Sequence, residues 1–170
     1  ETYFLSPSVT AEAVIDTMES MYEKKVAPLR SAILKFGKSE AEVITVASIL
    51  EEEAKSSVDR RIVAGILWKR LLVGMPLQVD ATFAYYVNGK SSKELTINDL
   101  KTDAPYNTYT RKGLPPGAIS NPGVSAIIDA INPTKTPYFY YLSDKDGVIH
   151  YAKTFDEHLT NKAKYLGKGI

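Results

Sequence analysis

With 170 residues, 44% of them hydrophobic, the chain is long enough to bury one core, and 21 basic against 20 acidic side chains leave a net charge of +1, which gives no electrostatic reason for a nucleic-acid partner. There is no cysteine, so disulfides, a thiol nucleophile and zinc–thiolate sites are excluded. The longest apolar run, 43–50, falls well short of the roughly 20 residues that span a bilayer.

In chain order, Thr10 is placed to N-cap a helix over about 10–24, with Glu12 in the first turn where a negative charge suits the helix dipole. A second helical stretch follows Pro28 to about residue 36. Ser39 with Glu42 makes a capping box ahead of a helix that carries Val43, Val46, Ala47, Leu50 and Ala54 at three- and four-residue spacing and is expected to reach about residue 55. Asp59 is expected to cap the next helix, with Ile62, Val63, Ile66, Leu67 and Leu71 on its apolar side and Gly74 at its end. A short helix follows Asp80, to about residue 87, and 96–100 gives a further turn. The segment 103–123 holds four prolines and three glycines among polar and aromatic residues, a long loop of the kind that carries function. Residues 124–131 read as a helix, 138–142 and 148–152 flank Ser-Asp-Lys-Asp-Gly as a β-hairpin, and Thr154 with Glu157 starts a last helix. No internal repeat, low-complexity segment or linker interrupts the pattern, so one helix-rich α+β domain over 1–170 is predicted.

The most informative segment is Ala47-Ser48-Ile49-Leu50-Glu51-Glu52-Glu53, an apolar helical approach ending in three carboxylates. A carboxyl set against an apolar face keeps its proton to higher pH and can act as an acid near neutrality. At about 100° per residue from Leu50, Glu52 falls near 200°, opposite the apolar arc, and belongs to solvent. Glu51 lies near 100° and Glu53 near −60°, so periodicity leaves both open, each also able simply to edge the core and pair with Arg60 or Arg61. Ala47 and Ala54 beside Glu51 leave more room for a substrate than the branched Val46 and Ile49 beside Glu53.

Other residues carry suitable chemistry with structural alternatives beside it. Asp80 is a second carboxylate or an N-cap. Gln78 offers a donor and acceptors for a sugar hydroxyl or acetamido group, or ordinary loop bonds. Tyr106, Asn107, Thr108 and Tyr109 put two rings around two polar side chains, a lining for sugars or a turn closed by Asn107. Asn121 before Pro122 either caps the following helix or faces a cleft. Tyr138, Phe139, Tyr140 and Tyr141 are expected mostly in the core. Only two histidines are present, His150 and His158; neither a metal site nor any cofactor is expected. Ser48 has no histidine beside it to activate it as a nucleophile.

Three strings, Leu77-Gln78-Val79-Asp80, Tyr106-Asn107-Thr108-Tyr109 and Gly113-Leu114-Pro115-Pro116-Gly117-Ala118-Ile119-Ser120-Asn121-Pro122-Gly123, occur together with the glutamate segment. In this combination the chain resembles the endolytic murein transglycosylases of the MltG, or YceG-like, family, nearly end to end from Thr2-Tyr3-Phe4 to Thr154-Phe155-Asp156-Glu157-His158. It departs from the family pattern at Val79 and Ala81, where Ser or Thr and Pro are usual. The resemblance implies an extracytoplasmic domain, anchored to the cell membrane by a single span upstream of Glu1 and preceded by a LysM-like subdomain, that cleaves peptidoglycan glycan strands internally. It makes Glu51 the catalytic acid/base and implies substrate binding by Gln78, Asp80, Tyr106, Asn107, Thr108, Tyr109 and Asn121. Peptidoglycan synthases are implied as partners. One carboxyl suffices for such a reaction, because the muramyl C6 hydroxyl is the nucleophile. Glu51 is then expected to have a raised pKa, from the apolar arc of Val43, Ala47 and Leu50. A peptidoglycan-binding module that does not cut, and a two-carboxylate muramidase using Glu51 and Asp80, are the alternatives.

Overall fold

The computed structural model describes residues 2–86 and 95–167, which form eight α-helices and one antiparallel β-hairpin, the expected α+β class. Helix α1 (Ala11–Val26) begins at Thr10, whose hydroxyl accepts the Ala13 N–H at 3.3 Å. A 3₁₀ turn (Ala27–Leu29) leads into α2 (Arg30–Phe36), and Gly37 at φ 81° ends it in left-handed backbone that favours glycine.

Both arms of the Ser39–Glu42 capping box form ahead of α3 (Glu40–Glu53). The helix stops slightly short of residue 55 because Ala54 is extended, at φ −147°. Helix α4 (Ser57–Leu72) is capped by Ser56 rather than Asp59: the Ser56 hydroxyl accepts the Asp59 N–H at 3.0 Å and donates to the Asp59 carboxylate at 2.6 Å. A cap reaches two or three residues forward, so Asp59 sits inside the first turn, where its charge suits the dipole. Its other carboxylate oxygen accepts the Tyr151 hydroxyl at 2.7 Å, tying α4 to the hairpin.

Short helices α5 (Asp80–Tyr86) and α6 (Ile97–Lys101) follow; the expected extension of α5 to residue 87 lies outside the described residues. Helix α7 (Val124–Ala130) comes after the long loop. Strands β1 (Tyr140–Ser143) and β2 (Ile149–Ala152) pair Tyr141 with Tyr151 and Leu142 with His150. β1 starts two residues later than its pattern predicts, although the Phe139 N–H still reaches the Ala152 carbonyl at 3.0 Å. Thr154 caps α8 (Phe155–Asn161), and a π-helical turn (Lys162–Leu166) follows.

The core lies where α3 meets α4 and α7. Val43, Val46, Ala47 and Leu50 pack with Val63, Ala64 and Leu67 of α4 and with Ala126, Ile127 and Ala130 of α7, each large side chain contributing roughly 1.5–3 kcal/mol by burial. Gly65 lets the 132–137 loop lie against α4, since a Cβ there would fall 2.1 Å from the Thr134 carbonyl oxygen. Trp68 Nε1 donates to the Ala130 carbonyl at 2.9 Å and fixes the end of α7. None of the described helices is long and apolar enough to cross a membrane.

Candidate functional site

The last turn of α3 is the frame of the site. Ser48, fully buried, is a small hydroxyl on an otherwise apolar face; its Oγ donates to the Thr45 carbonyl at 2.7 Å and accepts the Ile119 N–H at 3.0 Å. The Ser120 hydroxyl donates to the Ser48 carbonyl at 3.0 Å. These bonds lay the end of the 103–123 loop along α3, one turn before Glu51. Glu51 is exposed, and its Oε2 accepts the Gly123 N–H at 3.1 Å. Of the two glutamates left open by periodicity, Glu51 is thus the one bonded to that loop.

Glu53 points elsewhere. Burial pushes its carboxyl up to about 7; a hydrogen bond from Tyr141 opposes the shift, and the charges of Asp80 and Glu52 reinforce it. Burial, together with Glu53, raises Tyr141 well above the ordinary phenol range. Glu53 sits on the side of α3 that meets Tyr141 of the hairpin and packs against α5. Glu52 is exposed, as its angular position requires.

The Leu77–Asp80 and Tyr106–Tyr109 strings meet in space. The Gln78 N–H donates to the Thr108 carbonyl at 3.0 Å, the Val79 N–H to Thr108 Oγ1 at 2.9 Å, and the Tyr109 hydroxyl to Asp80 Oδ1 at 2.5 Å. Asp80 opens α5 as its first residue rather than standing outside as a cap. Tyr109 is shifted up, chiefly by burial and then by the Asp80 carboxylate. Gln78 is exposed and has φ 53°, left-handed backbone unusual for a residue with a Cβ. Arg70 braces this turn from below: Nη1 donates to the Leu77 carbonyl at 2.6 Å and Nε to the Phe139 carbonyl at 2.7 Å.

Asn107 and Thr108 are buried and act as fasteners. Asn107 Nδ2 donates to the Leu100 and Thr102 carbonyls at 3.0 and 2.7 Å, while Oδ1 accepts the Tyr109 N–H at 3.0 Å. Tyr106 is half-buried beside Tyr85 and Tyr86, and Asn121 is exposed two residues before Gly123. Side chains of Glu51, Gln78 and Asn121 thus reach solvent, whereas Asn107 and Thr108 lie behind the surface.

A buried ion pair holds the frame together. Arg60 Nε donates to Asp129 Oδ2 at 2.7 Å, Nη1 to the Lys55 carbonyl at 3.1 Å and Nη2 to Ser125 Oγ at 3.0 Å, while the Ser57 hydroxyl donates to Asp129 Oδ1 at 2.6 Å. Arg60 therefore joins the segment just after Glu53 to the start of α7, whose preceding residue is Gly123. The sequence offers Arg60, or Arg61, as a partner for Glu51 or Glu53; Asp129 inside the apolar run Ala126-Ile127-Ile128-Asp129-Ala130 is the signal for its actual partner. Ser48 and Tyr141 were missed as positioning residues, because their partners lie 71 or more positions away or on another element. His150 bonds Asp144 at 2.8 Å, the structural role expected of it. Among the described residues no three His, Cys, Asp or Glu side chains are grouped to hold a metal.

The family model described as YceG-like matches residues 1–164. An endolytic murein transglycosylase of Bacillus subtilis is 37% identical over 163 residues, which cover 96% of this chain and 45% of that protein. An endolytic murein transglycosylase of Streptococcus pneumoniae serotype 2 is 33% identical over 175 residues, covering 99% of this chain and 32% of that protein. A crystal structure of a yceG-like protein from Listeria monocytogenes matches with a TM-score of 0.86 at 38% identity, covering 94% of this chain and 52% of that one. The chain spans between a third and about half of the length of these relatives.

Proposed function

The chain belongs to the YceG-like family, and from that premise we propose that it is the catalytic part of an endolytic peptidoglycan lytic transglycosylase. It breaks the β-1,4 bond between N-acetylmuramic acid and N-acetylglucosamine and leaves 1,6-anhydro-muramyl ends. The observation that carries this reading is the placement of Glu51, an exposed carboxyl at the rim of the 103–123 loop, bonded to the Gly123 N–H.

Protonated Glu51 gives its proton to the glycosidic oxygen as the C1–O bond breaks. The resulting carboxylate takes the proton of the muramyl C6 hydroxyl, whose oxygen closes onto C1. Glu51 ends protonated and no water is consumed, so one carboxyl serves both steps. The Gly123 N–H, donating to Oε2, orients the carboxyl through both steps. Gln78 and Asn121 are exposed polar groups for the sugars, Tyr106 supplies a ring face, and Tyr109 positions Asp80. Asn107 and Thr108 support the reading indirectly, by holding the Gln78–Asp80 turn in place.

The full-length protein is proposed to be membrane-anchored through a segment upstream, to act outside the cytoplasm and to work beside peptidoglycan synthases. A second reading, favoured by the proton Glu53 retains up to about pH 7, makes Glu53 the acid. Digestion of peptidoglycan by the full-length protein, with products read by mass spectrometry, separates these readings. Anhydro ends abolished by Glu51→Gln and retained in Glu53→Gln are expected; the reverse pattern moves the acid to Glu53. Reducing ends indicate a two-carboxylate muramidase, and strands bound but uncut indicate a binding module.

A further inference from the structure

Tyr85 and Tyr86, at the end of α5, are 53% and 47% exposed and stand out from the site so far described. Their rings meet Tyr106: Tyr85 at 5.2 Å between centroids and Tyr86 at 6.1 Å, nearly parallel at 18°. Tyr86 also stacks on the buried Phe83 at 6.3 Å, which anchors the group to the core. Three tyrosines thus form one contiguous aromatic surface, anchored by Phe83 and partly exposed. Half-exposed rings with a wet hydroxyl edge match the faces of sugars, which present C–H groups to a ring while their hydroxyls stay hydrated.

This surface is connected to Glu51. The Tyr106 hydroxyl lies 3.6 Å from where a Gly117 Cβ would stand, and from Gly117 the loop runs through Ile119 and Ser120, both bonded to Ser48, to Gly123 against Glu51. Six residues of chain separate the Tyr106 contact from the Glu51 contact, a span of at most about 20 Å. A polymer lying along this edge would reach both places.

We propose that Tyr85, Tyr86 and Tyr106 form a remote glycan-stacking subsite that binds the strand away from the bond being cut, so that long strands are held more tightly than short ones. The proposal rests on the glycan-cleaving reading and names where its substrate is held.

The test measures binding of peptide-free glycan strands of defined length to the full-length protein carrying Glu51→Gln, which prevents turnover. Long strands are expected to bind more tightly than di- and tetrasaccharides. Adding Tyr85→Ala and Tyr86→Ala together is expected to weaken long-strand binding roughly tenfold or more and to erase most of the dependence on length. Phenylalanine at both positions restores binding, because the ring faces and not the hydroxyls are used. Unaltered long-strand affinity in the double alanine variant overturns the proposal, as does an equal loss in the phenylalanine variant, or an affinity of the Glu51→Gln protein that is independent of length. The anhydro-product assay with the wild type stands apart from these outcomes, so the subsite can fail while the reaction assignment holds.

Discussion

Two carboxyls two residues apart on α3 live in different media. Glu51 is exposed and meets one backbone N–H, from Gly123; Glu53 is enclosed by Tyr141 with Asp80 nearby, and burial pushes it up to about 7. About 200° of rotation along one helix separates solvent at the edge of a loop from a half-buried position beside the hairpin. Contact with the 103–123 loop and contact with the hairpin are therefore divided between neighbours. The family resemblance and the loop contact favour Glu51, whereas a retained proton favours Glu53, and the comparison is sharp enough to break experimentally.

The largest effect expected is on activity. Glu51→Gln should lower turnover about 10²- to 10⁴-fold while leaving unfolding free energy within about 0.5 kcal/mol of wild type, as an exposed side chain should. A Glu51→Gln variant that keeps full activity ends its assignment. Next, Arg60→Ala removes one half of the buried pair with Asp129, which holds the chain after Glu53 to the start of α7; urea unfolding should reveal a loss of about 3–5 kcal/mol. A loss near zero would mean that the two carboxyls do not depend on this clamp.

The third effect is pH dependence. Folded Glu53 keeps its proton up to about pH 7, whereas the unfolded group loses it near 4.5. Between these values the folded state holds more protons, so this group's stabilising contribution is full below about pH 4.5, declines as pH rises and is gone above about 7. Glu53→Gln should remove that slope and leave the variant more stable than wild type at pH 8, by on the order of 2–3 kcal/mol. Parallel melting curves of the two proteins across pH 4–8 would contradict the enclosure of Glu53. The smallest effect is at Tyr109→Phe, which deletes the bond to Asp80 and should cost about 1.5–3 kcal/mol or less in thermal unfolding; a larger loss would mean that Tyr109 supports more than the α5 turn.

Local signals were read well from the chain. The Ser39–Glu42 box, the Thr10 and Thr154 caps and the hairpin around 143–148 depend on residues within four positions of one another, and each forms. The departure at Asp59 is of the same kind, since Ser56 three residues earlier is the better-placed acceptor. Periodicity also assigned Glu52 to solvent. It was silent on Glu51 against Glu53, because the groups that decide between them are distant: Gly123 lies 72 positions beyond Glu51, and Tyr141 comes from the hairpin. Asn107 and Thr108 illustrate a second limit. Polar residues between tyrosines suit a sugar lining and a buried fastener equally, and only the carbonyls of Leu100 and Thr102 and the N–H of Val79 reveal which bonds they make.

Gln78 remains as a residue whose backbone and side chain have different interests. At φ 53° a side chain with a full Cβ costs about 1–2 kcal/mol relative to glycine, and asparagine would fit the same turn with less strain. The turn survives because Arg70, Thr108 and Tyr109 grip it from three sides. An engineer seeking a more heat-resistant protein would begin by relaxing this position with Gln78→Gly. The exposed side chain, whose Oε1 also accepts a long bond from Arg70 Nη1 at 3.5 Å, is what that gain would surrender, which makes Gln78 the place where durability and recognition pull apart.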